Sequence, residues 1–285
     1  MPEPGEPLSE IVHRALAEDV GSGDVTTEAT VLAGARARAR IVQKQPGVAF
    51  GLDVVEEAMR QCGVERVDKL VAEGQWRDAV PAEVALASGP AAALLVAERT
   101  ALNFLGHLSG VATLTARFVE AVAGTGARVL DTRKTTPGLR TLEKAAVAAG
   151  GGQNHRMGLF DAILIKENHI ALSGGMAKAV HAARKAQPDL AIEVECRDLE
   201  EVAYGLGVGA DRLLLDNMDT ETLRAAVKLR DENSGGGKGP ALEASGGVDL
   251  ETVRPIAETG VDFISVGALT HSASALDFSL LLEPA

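Results

Sequence analysis

Six short apolar runs in the second half of the chain each lead into a polar or glycine-rich group. A strand of Val, Ile and Leu that is buried on both faces has no room for a charge until it leaves the sheet. The pattern therefore predicts a parallel α/β sheet whose strands all end at one rim, where such folds place their active sites. The runs are ARVLD (127–131), before Thr132, Arg133 and Lys134; AILIK, ending at Lys166; LAIEVE, ending at Glu195; RLLLD, ending at Asp216; LEAS, ending at Ser245 before Gly246 and Gly247; and DFISV, before Gly267 and Ala268.

The spacing of these runs indicates a barrel-like winding. Roughly 20 to 30 residues separate successive runs, which is enough for a strand, a helix and two loops. Helical patterns fill the gaps at 174–187, 198–206 and 219–232, and Asp198 and Asp219 stand where N-caps are expected. Six strands are fewer than the eight of a full (β/α)₈ barrel, so we expect an α/β barrel with fewer strands.

The first third of the chain has a different pattern. GARARARIV (34–42) alternates Ala with Arg, as a half-exposed strand does, and LDVVEEAMRQCG (52–63) is helical. Strand-like pieces follow near Val71, near Ala79 and at 84–87. These features predict a small α+β domain with an antiparallel sheet.

A long helical stretch at 90–124 joins the two parts, and we expect two helices broken between Gly106 and Gly110. The tail ALDFSLLLEP is expected to return to the first domain. We therefore predict an N-terminal domain at 1–110, a barrel domain at 111–272, and a tail at 273–285 that packs on the N-terminal domain.

Composition and charge exclude several classes of protein. The 285 residues carry a net charge of −12, which argues against nucleic acid as the main partner. No stretch approaches the ~20 apolar residues of a membrane span, and the acidic start lacks the pattern of a signal peptide. The two cysteines, Cys62 and Cys196, predict reduced thiols in the cytoplasm, with Cys196 buried. DENSGGGKG (231–239) is expected to be a flexible surface loop.

A local basic cluster stands out against this acidic background. Residues 131–169 contain six Lys and Arg against four Asp and Glu. Arg140 and Lys144 are expected to be solvated helix charges, whereas the other four cations, with His155, are placed to converge on the rim. Converging Arg and Lys side chains predict a ligand with carboxylate or phosphate groups. The glycine triplet at 150–152 is equally consistent with a helix C-cap.

Two acids, Glu195 and Asp216, end neighbouring strands of the same rim. They either form salt bridges with the basic cluster, or they hold a metal ion and stabilise a developing positive charge. Acids that face bases suit a substrate that is anionic at its ends and becomes cationic at its centre. Phosphoribosyl pyrophosphate behaves in this way when pyrophosphate leaves with Mg²⁺. The glycine-rich ends of the last two strands suit phosphate binding.

Nine motifs lie in order along nearly the whole chain: EDVGSGDVTTE (18–28), ERTALNFLGHLSGVAT (98–113), DTRKTTPGLR (131–140), GGGQNHRMGL (150–159), LIKENHI (164–170), EVE (193–195), LLLDNM (213–218), LEASGGV (242–248) and SVGALTHS (265–272). Together they resemble the quinolinate phosphoribosyltransferase family, also called nicotinate-nucleotide pyrophosphorylase (carboxylating). The resemblance implies an N-terminal α/β sandwich followed by an incomplete TIM-like α/β barrel. It also implies a homodimer or larger oligomer with a shared active site.

The reaction implied by the resemblance joins quinolinate to phosphoribosyl pyrophosphate with Mg²⁺. It gives nicotinate mononucleotide, CO₂ and pyrophosphate, in de novo NAD biosynthesis. The catalytic residues implied are Lys134, Lys166, Glu195 and Asp216. The substrate-binding residues implied are Arg133, His155, Arg156 and Lys166 at the quinolinate carboxylates, Lys134 near both substrates, Thr132 without a more specific role, Arg99 from the partner subunit, Glu195 and Asp216 at the ribose and the metal, Ser245, Gly246, Gly247, Gly267 and Ala268 at the phosphate, and His271 at the pyrophosphate side.

The chemistry of this substrate agrees with the residues. Quinolinate is a dianion and needs several cations to bind it, while its ring nitrogen is already a nucleophile and needs no general base. Once that nitrogen bonds to ribose it becomes a cationic electron sink, and the adjacent carboxylate can leave as CO₂. We therefore expect His155 to donate a hydrogen bond to the substrate and not to shuttle protons.

The chain departs from the family in the stretch before the glycine triplet, which reads KAAVAAGGG here. Where the family commonly has Tyr and often Arg, this chain has Ala145 and Ala148. The two changes remove an aromatic contact and a charge. These changes put in question the affinity for substrate, or the packing of the residues that support the site.

Three other functions are compatible with parts of the pattern. One is a Schiff-base aldolase or decarboxylase that uses Lys166 as its nucleophile. The second is a paralogue of the same fold that has lost quinolinate specificity and serves metal-cofactor transport, which predicts changes in the NHR or TRK motifs. The third is a non-catalytic anion-binding module, against which Glu195 and Asp216 count because acids repel anions.

Overall fold

The structure is a computed structural model, and it describes residues 6–234 and 239–285. The helices in these residues are α1 (Leu8–Val20), α2 (Val25–Thr30), α3 (Leu52–Gln61), α4 (Ala91–Ala121), α5 (Arg140–Ala149), α6 (Glu167–Ser173), α7 (Met176–Ala186), α8 (Leu199–Gly205), α9 (Thr220–Asn233), α10 (Val253–Ala257) and α11 (Ala268–His271). The strands are β1 (Arg36–Gln43), β2 (Gly47–Val48), β3 (Arg66–Lys69), β4 (Trp76–Arg77), β5 (Ala82–Pro90), β6 (Arg128–Leu130), β7 (Ile163–Ile165), β8 (Ile192–Cys196), β9 (Arg212–Asp216), β10 (Ala241–Ser245), β11 (Phe263–Ser265) and β12 (Phe278–Pro284). Across the described residues, every helix is too short or too polar to cross a membrane.

The chain divides into two compact units, each made of separate stretches of sequence. The first unit contains Met1–Ala116, Thr136–Gly151 and Ser272–Ala285. The second contains Arg117–Thr135 and Gly152–His271. The stretch that carries α5 therefore belongs to the first unit, although it lies between two strands of the second in sequence.

The first unit is built on a four-stranded antiparallel sheet in the order β12-β1-β5-β3. Along β1, Ala37, Ala39 and Ile41 are buried while the Arg side chains between them face outward. Cross-strand partners such as Glu83 and Glu283, which both bind Arg40, balance the outward charges. The alternating pattern thus predicted this strand correctly, and the pairing of β12 with β1 brings the tail to this sheet.

Two details of the first unit differ from the sequence prediction. Strands β3 and β4 lie at Arg66–Lys69 and Trp76–Arg77, a few residues before the predicted centres at Val71 and Ala79. These strands have two to four residues, too few for period-2 alternation to locate them accurately.

Helix α4 is one continuous helix of 31 residues, so the predicted break between Gly106 and Gly110 is wrong. Both glycines face the backbone of the returning tail. A Cβ on Gly110 would lie 2.2 Å from the carbonyl oxygen of Ser274, and one on Gly106 would lie 2.9 Å from that of Leu276. These glycines therefore permit close packing of backbone on helix and do not mark a kink.

The second unit contains the six-stranded parallel sheet that the apolar runs predict. Its order is β6-β11-β10-β9-β8-β7, so the first strand of the unit pairs beside the last. β6 and β7 are the two edges, and the isolated parallel bridge between Leu130 and Gln153 is the extension beyond β6. Six strands wound in this way form an incomplete TIM-like α/β barrel.

The helices of this unit follow the predicted pattern. The Asp198 side chain accepts a hydrogen bond from the backbone N–H of Glu201, and that of Asp219 from Thr222, so both act as N-caps. Helix α9 extends to Asn233, which makes the predicted loop wrong for residues 231–233. The remainder of that loop at 235–238 lies outside the described residues.

Candidate active site

A cavity of about 620 Å³ opens at the carboxyl ends of strands β6 to β11. This volume is typical of a small-molecule site. Fourteen of the fifteen predicted substrate-binding residues line it together, as the strand-end argument requires. The lining consists of Thr132, Arg133, Lys134, His155, Arg156, Lys166, Glu195, Asp216, Ser245, Gly246, Gly247, Gly267, Ala268 and His271, with Leu164, Leu214, Asn217, Glu243, Val248 and Ser265 in addition.

The basic side of the cavity is formed by residues that follow β6 and the Leu130–Gln153 bridge. Arg133 and Arg156 line the same cavity, and burial and the nearby positive charge of Arg133 lower the pKa of Arg156. Arg156 is anchored by a bond from its Nη1 to the carbonyl oxygen of Ala162 at 3.2 Å. Lys134 is fixed at its backbone, where its carbonyl accepts a bond from the Thr270 hydroxyl at 2.7 Å. Such preorganised cations suit a multiply charged anion.

Lys166 and Glu195 stand at the ends of adjacent strands β7 and β8 and form a side-chain ion pair. Lys166 is also the N-cap residue of α6, and its backbone N–H donates to Nδ1 of His169 at 3.0 Å. Asp216, at the end of β9, accepts a bond from the Asn217 amide at 2.9 Å. Lys166 and the acids Glu195 and Asp216 therefore line the same cavity.

The glycine-rich side of the cavity leaves backbone accessible where side chains would block it. Gly246 has φ +103° and Gly247 has φ +60°, and a Cβ on Gly246 would lie 2.1 Å from Oδ1 of Asn217. At Gly267 a Cβ would lie 3.2 Å from both Nε2 of His271 and Cδ of Lys134. Glycine at these positions allows close approach of a phosphate group to backbone.

His155 is held by protein groups at both ring nitrogens. Its Nδ1 accepts a bond from the backbone N–H of Arg156 at 2.7 Å, and its Nε2 lies 2.8 Å from Oε2 of Glu193. Its own backbone N–H donates to the buried Asp131 at 2.8 Å. Burial lowers the pKa of His155, but the bond to Glu193 and the charges of Glu243 and Glu193 outweigh this and raise the pKa. Both ring nitrogens therefore have protein partners in this structure. The hydrogen bond from the ring to the substrate stays a prediction.

Two buried acids behind His155 were missed from the sequence. Glu193 is 6% exposed and Glu243 is 0% exposed, and Glu243 lines the cavity. Glu193 precedes Glu195 by two residues on β8, and Glu243 precedes Ser245 by two on β10. Residues two apart on a strand share a face, so the period-2 rule applied to each strand end would have identified both acids.

The two acids form a charge cluster with His155 and Arg212. Nη1 of Arg212 lies 2.7 Å from Oε2 of Glu243, and the guanidinium stacks 4.1 Å above the Phe263 ring. Nε2 of His155 lies 3.7 Å from Oε1 of Glu243. One ligand atom each from His155, Glu193 and Glu243 falls within 4.8 Å of the others, a spacing compatible with a metal ion. This trio differs from the predicted metal pair of Glu195 and Asp216.

Some residues singled out from the sequence lie elsewhere. Arg99 is exposed on α4 in the first unit and is absent from the cavity lining within the described parts of the chain. Lys144 was expected to be solvated, but it is fully buried on α5, while Arg140 is half-buried. The helical period of α5 turns Lys144 inward, which a count of charges alone cannot show.

The departure from the family pattern also lies on α5. Ala145 and Ala148 are both exposed positions of this helix, and neither lines the cavity. Gly150 is the C-cap of the same helix, so the C-cap interpretation of the glycine triplet is confirmed. A Cβ at Gly150 would also lie 2.4 Å from the carbonyl oxygen of Ala112 on α4.

Comparison with known proteins gives two family models that together span most of the chain. The quinolinate phosphoribosyl transferase N-terminal domain matches residues 24–109, and the C-terminal domain of the same family matches residues 111–281. The nicotinate-nucleotide pyrophosphorylase [carboxylating] of Mycobacterium leprae is 43% identical over 274 residues, covering 94% of this chain and 95% of that protein. A probable nicotinate-nucleotide pyrophosphorylase [carboxylating] of Bacillus subtilis is 40% identical, covering 96% and 92%.

Solved structures agree with the sequence relatives. The nicotinate-nucleotide pyrophosphorylase of Francisella tularensis superposes with a TM-score of 0.91 at 39% identity, covering 97% of this chain and 96% of that one. Such agreement covers both units and the cavity-lining strands. The chain therefore belongs to the quinolinate phosphoribosyltransferase family.

Proposed function

We propose that this protein is a quinolinate phosphoribosyltransferase, a pentosyltransferase that makes nicotinate mononucleotide, CO₂ and pyrophosphate from quinolinate and phosphoribosyl pyrophosphate. In this role it serves de novo NAD biosynthesis. The observation that carries the proposal is the shared cavity, where Arg133, Arg156 and Lys166 stand with Glu195 and Asp216. A cup of cations suits the two carboxylates of quinolinate, and the two acids suit a ribose carbon that becomes positive.

Different residues of the cavity bind the two substrates. Arg133 and Arg156 hold the dianion by charge-assisted hydrogen bonds, with the ring nitrogen directed at the ribose. When a carboxylate of quinolinate forms an ion pair with Lys166, it replaces Glu195, and the Glu195 carboxylate is released. The freed carboxylate then faces the sugar at the moment that pyrophosphate departs. The apolar Leu164 and Leu214 in the lining suit the faces of a planar ring.

The backbone around Gly246 and Gly247 is proposed to hold the phosphate of the phosphoribosyl group. Both glycines have φ in the left-handed region, which leaves the backbone open to an anion. His271 and Lys134 come together at Gly267, on the side that would meet the pyrophosphate.

We propose Mg²⁺ as the cofactor, held with phosphoribosyl pyrophosphate by Glu195 and Asp216. Carboxylate oxygens are the ligands that Mg²⁺ prefers, so this donor set suits the ion. When bound, Mg²⁺ would neutralise charge on the leaving pyrophosphate.

We also propose a homodimer or larger oligomer in which Arg99 completes the site of a partner subunit. Its exposed position on α4 supports this role. A cytoplasmic location is supported by two free cysteines, of which Cys196 is fully buried with its thiol pKa raised to about 12 by burial and nearby acids. Free thiols are usual in reducing compartments.

Two competing functions have less support. A Schiff-base enzyme needs a neutral amine as its nucleophile, whereas Lys166 is ion-paired with Glu195. A paralogue that has lost quinolinate specificity predicts altered NHR or TRK motifs, yet His155, Arg156, Arg133 and Lys134 all line the cavity.

The decisive experiment is an assay of pyrophosphate release with phosphoribosyl pyrophosphate and Mg²⁺ and either quinolinate or nicotinate as acceptor. We expect turnover with quinolinate and little with nicotinate, which lacks one of the two carboxylates. A preference for nicotinate would refute the carboxylating assignment. Borohydride trapping of a substrate on Lys166 would favour the Schiff-base alternative.

A further inference from the structure

The proposed reaction requires a proton that the rim residues do not obviously supply. The bond between the ring carbon and its carboxylate breaks, CO₂ leaves, and the electron pair stays on the ring carbon beside the cationic nitrogen. That carbon carries hydrogen in the product, so a group in the site has to deliver a proton. Arg133 and Arg156 do not release protons near neutral pH, and Lys166 is paired with Glu195.

Glu243 has the features of a stored acid. Its side chain is fully buried and lines the cavity. On β10 it lies two residues before Ser245, the residue at the rim. Its Oε2 accepts from Arg212, but its Oε1 has no hydrogen-bond partner among the described residues. A buried oxygen without a partner is costly as an anion, whereas a neutral carboxyl group can carry a proton there.

The groups around Glu243 also favour its neutral form. Burial and the negative charge of Glu193 raise the pKa of Glu243 to about 7. The charges of His155 and Arg212 and a hydrogen bond from Ser265 act in the opposite direction and are outweighed. These groups come from β8, β9, β11 and the loop before Arg156.

We propose that Glu243 is the proton donor of the decarboxylation step, with Arg212, which binds its Oε2, as the positioning residue that holds it. This inference rests on the proposed function and extends it. The Glu243 carboxyl O–H bond breaks as the new C–H bond forms on the ring carbon, directly or through one water molecule. The Glu243 carboxylate then regains a proton from solvent at the cavity.

A metal ion between His155, Glu193 and Glu243 is the main alternative for this cluster. Arg212 already contacts Glu243, and Nε2 of His155, the ring nitrogen that faces the acids, already lies 2.8 Å from Oε2 of Glu193. With Glu243 protonated, the negative charge that remains on Glu193 is balanced by Arg212 without a further dication. The charges therefore favour a proton-holding cluster over a metal centre.

The test compares the full-length enzyme with Glu243→Gln, which keeps the size of the side chain but removes the acid. Glu143→Gln is the matched control, because Glu143 is also 0% exposed and bonds a histidine, His107, at 2.8 Å. Pyrophosphate release, nicotinate mononucleotide formation and KM for both substrates are measured separately. Mass spectrometry detects any mononucleotide that still carries both carboxylates.

For Glu243→Gln we expect pyrophosphate release in a single turnover to persist while nicotinate mononucleotide forms about 100-fold more slowly, the usual scale of general-acid catalysis. The mononucleotide with both carboxylates should accumulate, KM should change little, and Glu243→Asp should restore part of the rate. The control should behave as the wild type. Product formation by Glu243→Gln within about threefold of wild type would overturn the proposal.

A second test needs no variant. The wild-type kcat for nicotinate mononucleotide should fall as the pH rises above about 7, because ionised Glu243 has no proton to give. A flat profile up to pH ~9, or a stoichiometric metal ion found in this cluster, would also overturn the proposal. If the wild type releases no pyrophosphate from quinolinate, the proposed function itself fails, which is a distinct result.

Discussion

Lys166 and Glu195 form an ion pair across the ends of neighbouring strands in the same cavity that holds Arg133 and Arg156. The pair keeps the cavity closer to neutral before substrate arrives. Under the proposed function, a carboxylate of quinolinate would compete with Glu195 for Lys166. Binding of the acceptor and exposure of the catalytic acid are thereby linked through one contact.

Glu195→Gln tests this link. Removing the charge frees Lys166 for quinolinate and reduces repulsion of the dianion, so we expect quinolinate alone to bind about 3- to 10-fold more tightly. Turnover should nevertheless fall by about 100-fold or more, since the acid that faces the ribose is gone. Calorimetry and steady-state kinetics measure the two effects. Glu201→Gln, at the half-buried partner of the exposed Arg197, is the control; weaker quinolinate binding by Glu195→Gln would contradict the link.

Removing a cation from the cavity should abolish turnover without unfolding the protein. Arg133→Ala and Lys166→Ala each lose a charge that holds a substrate carboxylate, and we expect kcat/KM to fall by about 1000-fold. Circular dichroism and melting temperature should stay near those of the wild type. Lys228→Ala, at a side chain that is 77% exposed on α9, serves as the control. Near-normal activity of either cavity variant would refute the site assignment.

Mixed oligomers test the proposed role of Arg99. Arg99→Ala and Lys166→Ala chains should each be inactive alone. In a mixed dimer, one site would receive an intact Arg99 from one chain and an intact Lys166 from the other. We expect partial recovery of pyrophosphate release, at about a quarter of the wild-type rate for random mixing. The absence of recovery in dimers verified to be mixed would count against a shared site.

The two glycines after Ser245 differ in what an added methyl group would meet. At Gly246 the new Cβ would lie 2.1 Å from Asn217, whereas at Gly247 the space within 4 Å is open. Both have positive φ, so each substitution strains the backbone by about 1 kcal/mol or more. We expect Gly246→Ala to raise KM for phosphoribosyl pyrophosphate well beyond Gly247→Ala. Equal effects would show that contact with Asn217 is irrelevant to phosphate binding.

Glu243 should also make stability depend on pH. Its pKa is about 7 in the folded protein against 4.5 for an ordinary Glu, so folding stabilises the protonated form. The resulting stability is complete below pH ~4.5 and is lost as the pH rises through about 7, on the order of 3 kcal/mol. Chemical denaturation at several pH values should show the wild type losing more stability between pH ~5 and ~8 than Glu243→Gln. If the two proteins lost the same free energy of unfolding over this pH range, Glu243 would not be the cause of the pH dependence.

The parallel sheet was predictable because its physical constraint is local. A strand buried on both faces excludes charge, so Lys166, Glu195 and Asp216 marked three strand ends without any tertiary information. Together with the residues that the family resemblance implies, this reasoning named fourteen residues that line one cavity. It assumed that the strand interior was apolar, however, and so passed over Glu193 and Glu243, whose charges are compensated by His155 and Arg212 from other elements.

The remaining errors share a tertiary cause. Gly106 and Gly110 look like helix breakers in sequence, but the backbone at Ser274 and Leu276 requires their small size. The burial of Lys144 depends on which face of α5 packs inward. In each case the deciding neighbour is distant in sequence, so no local window contains it.

The pairing of β1 with β12 has a consequence for synthesis. Arg40 and its partner Glu283 are 243 positions apart, so one side of β1 has no permanent neighbour until synthesis has passed β12. An uncovered strand of this kind is a site for misassociation with other nascent chains. The outward-facing arginines of β1 disfavour such contacts until β12 pairs with this strand, and Glu283 on β12 then balances the charge of Arg40.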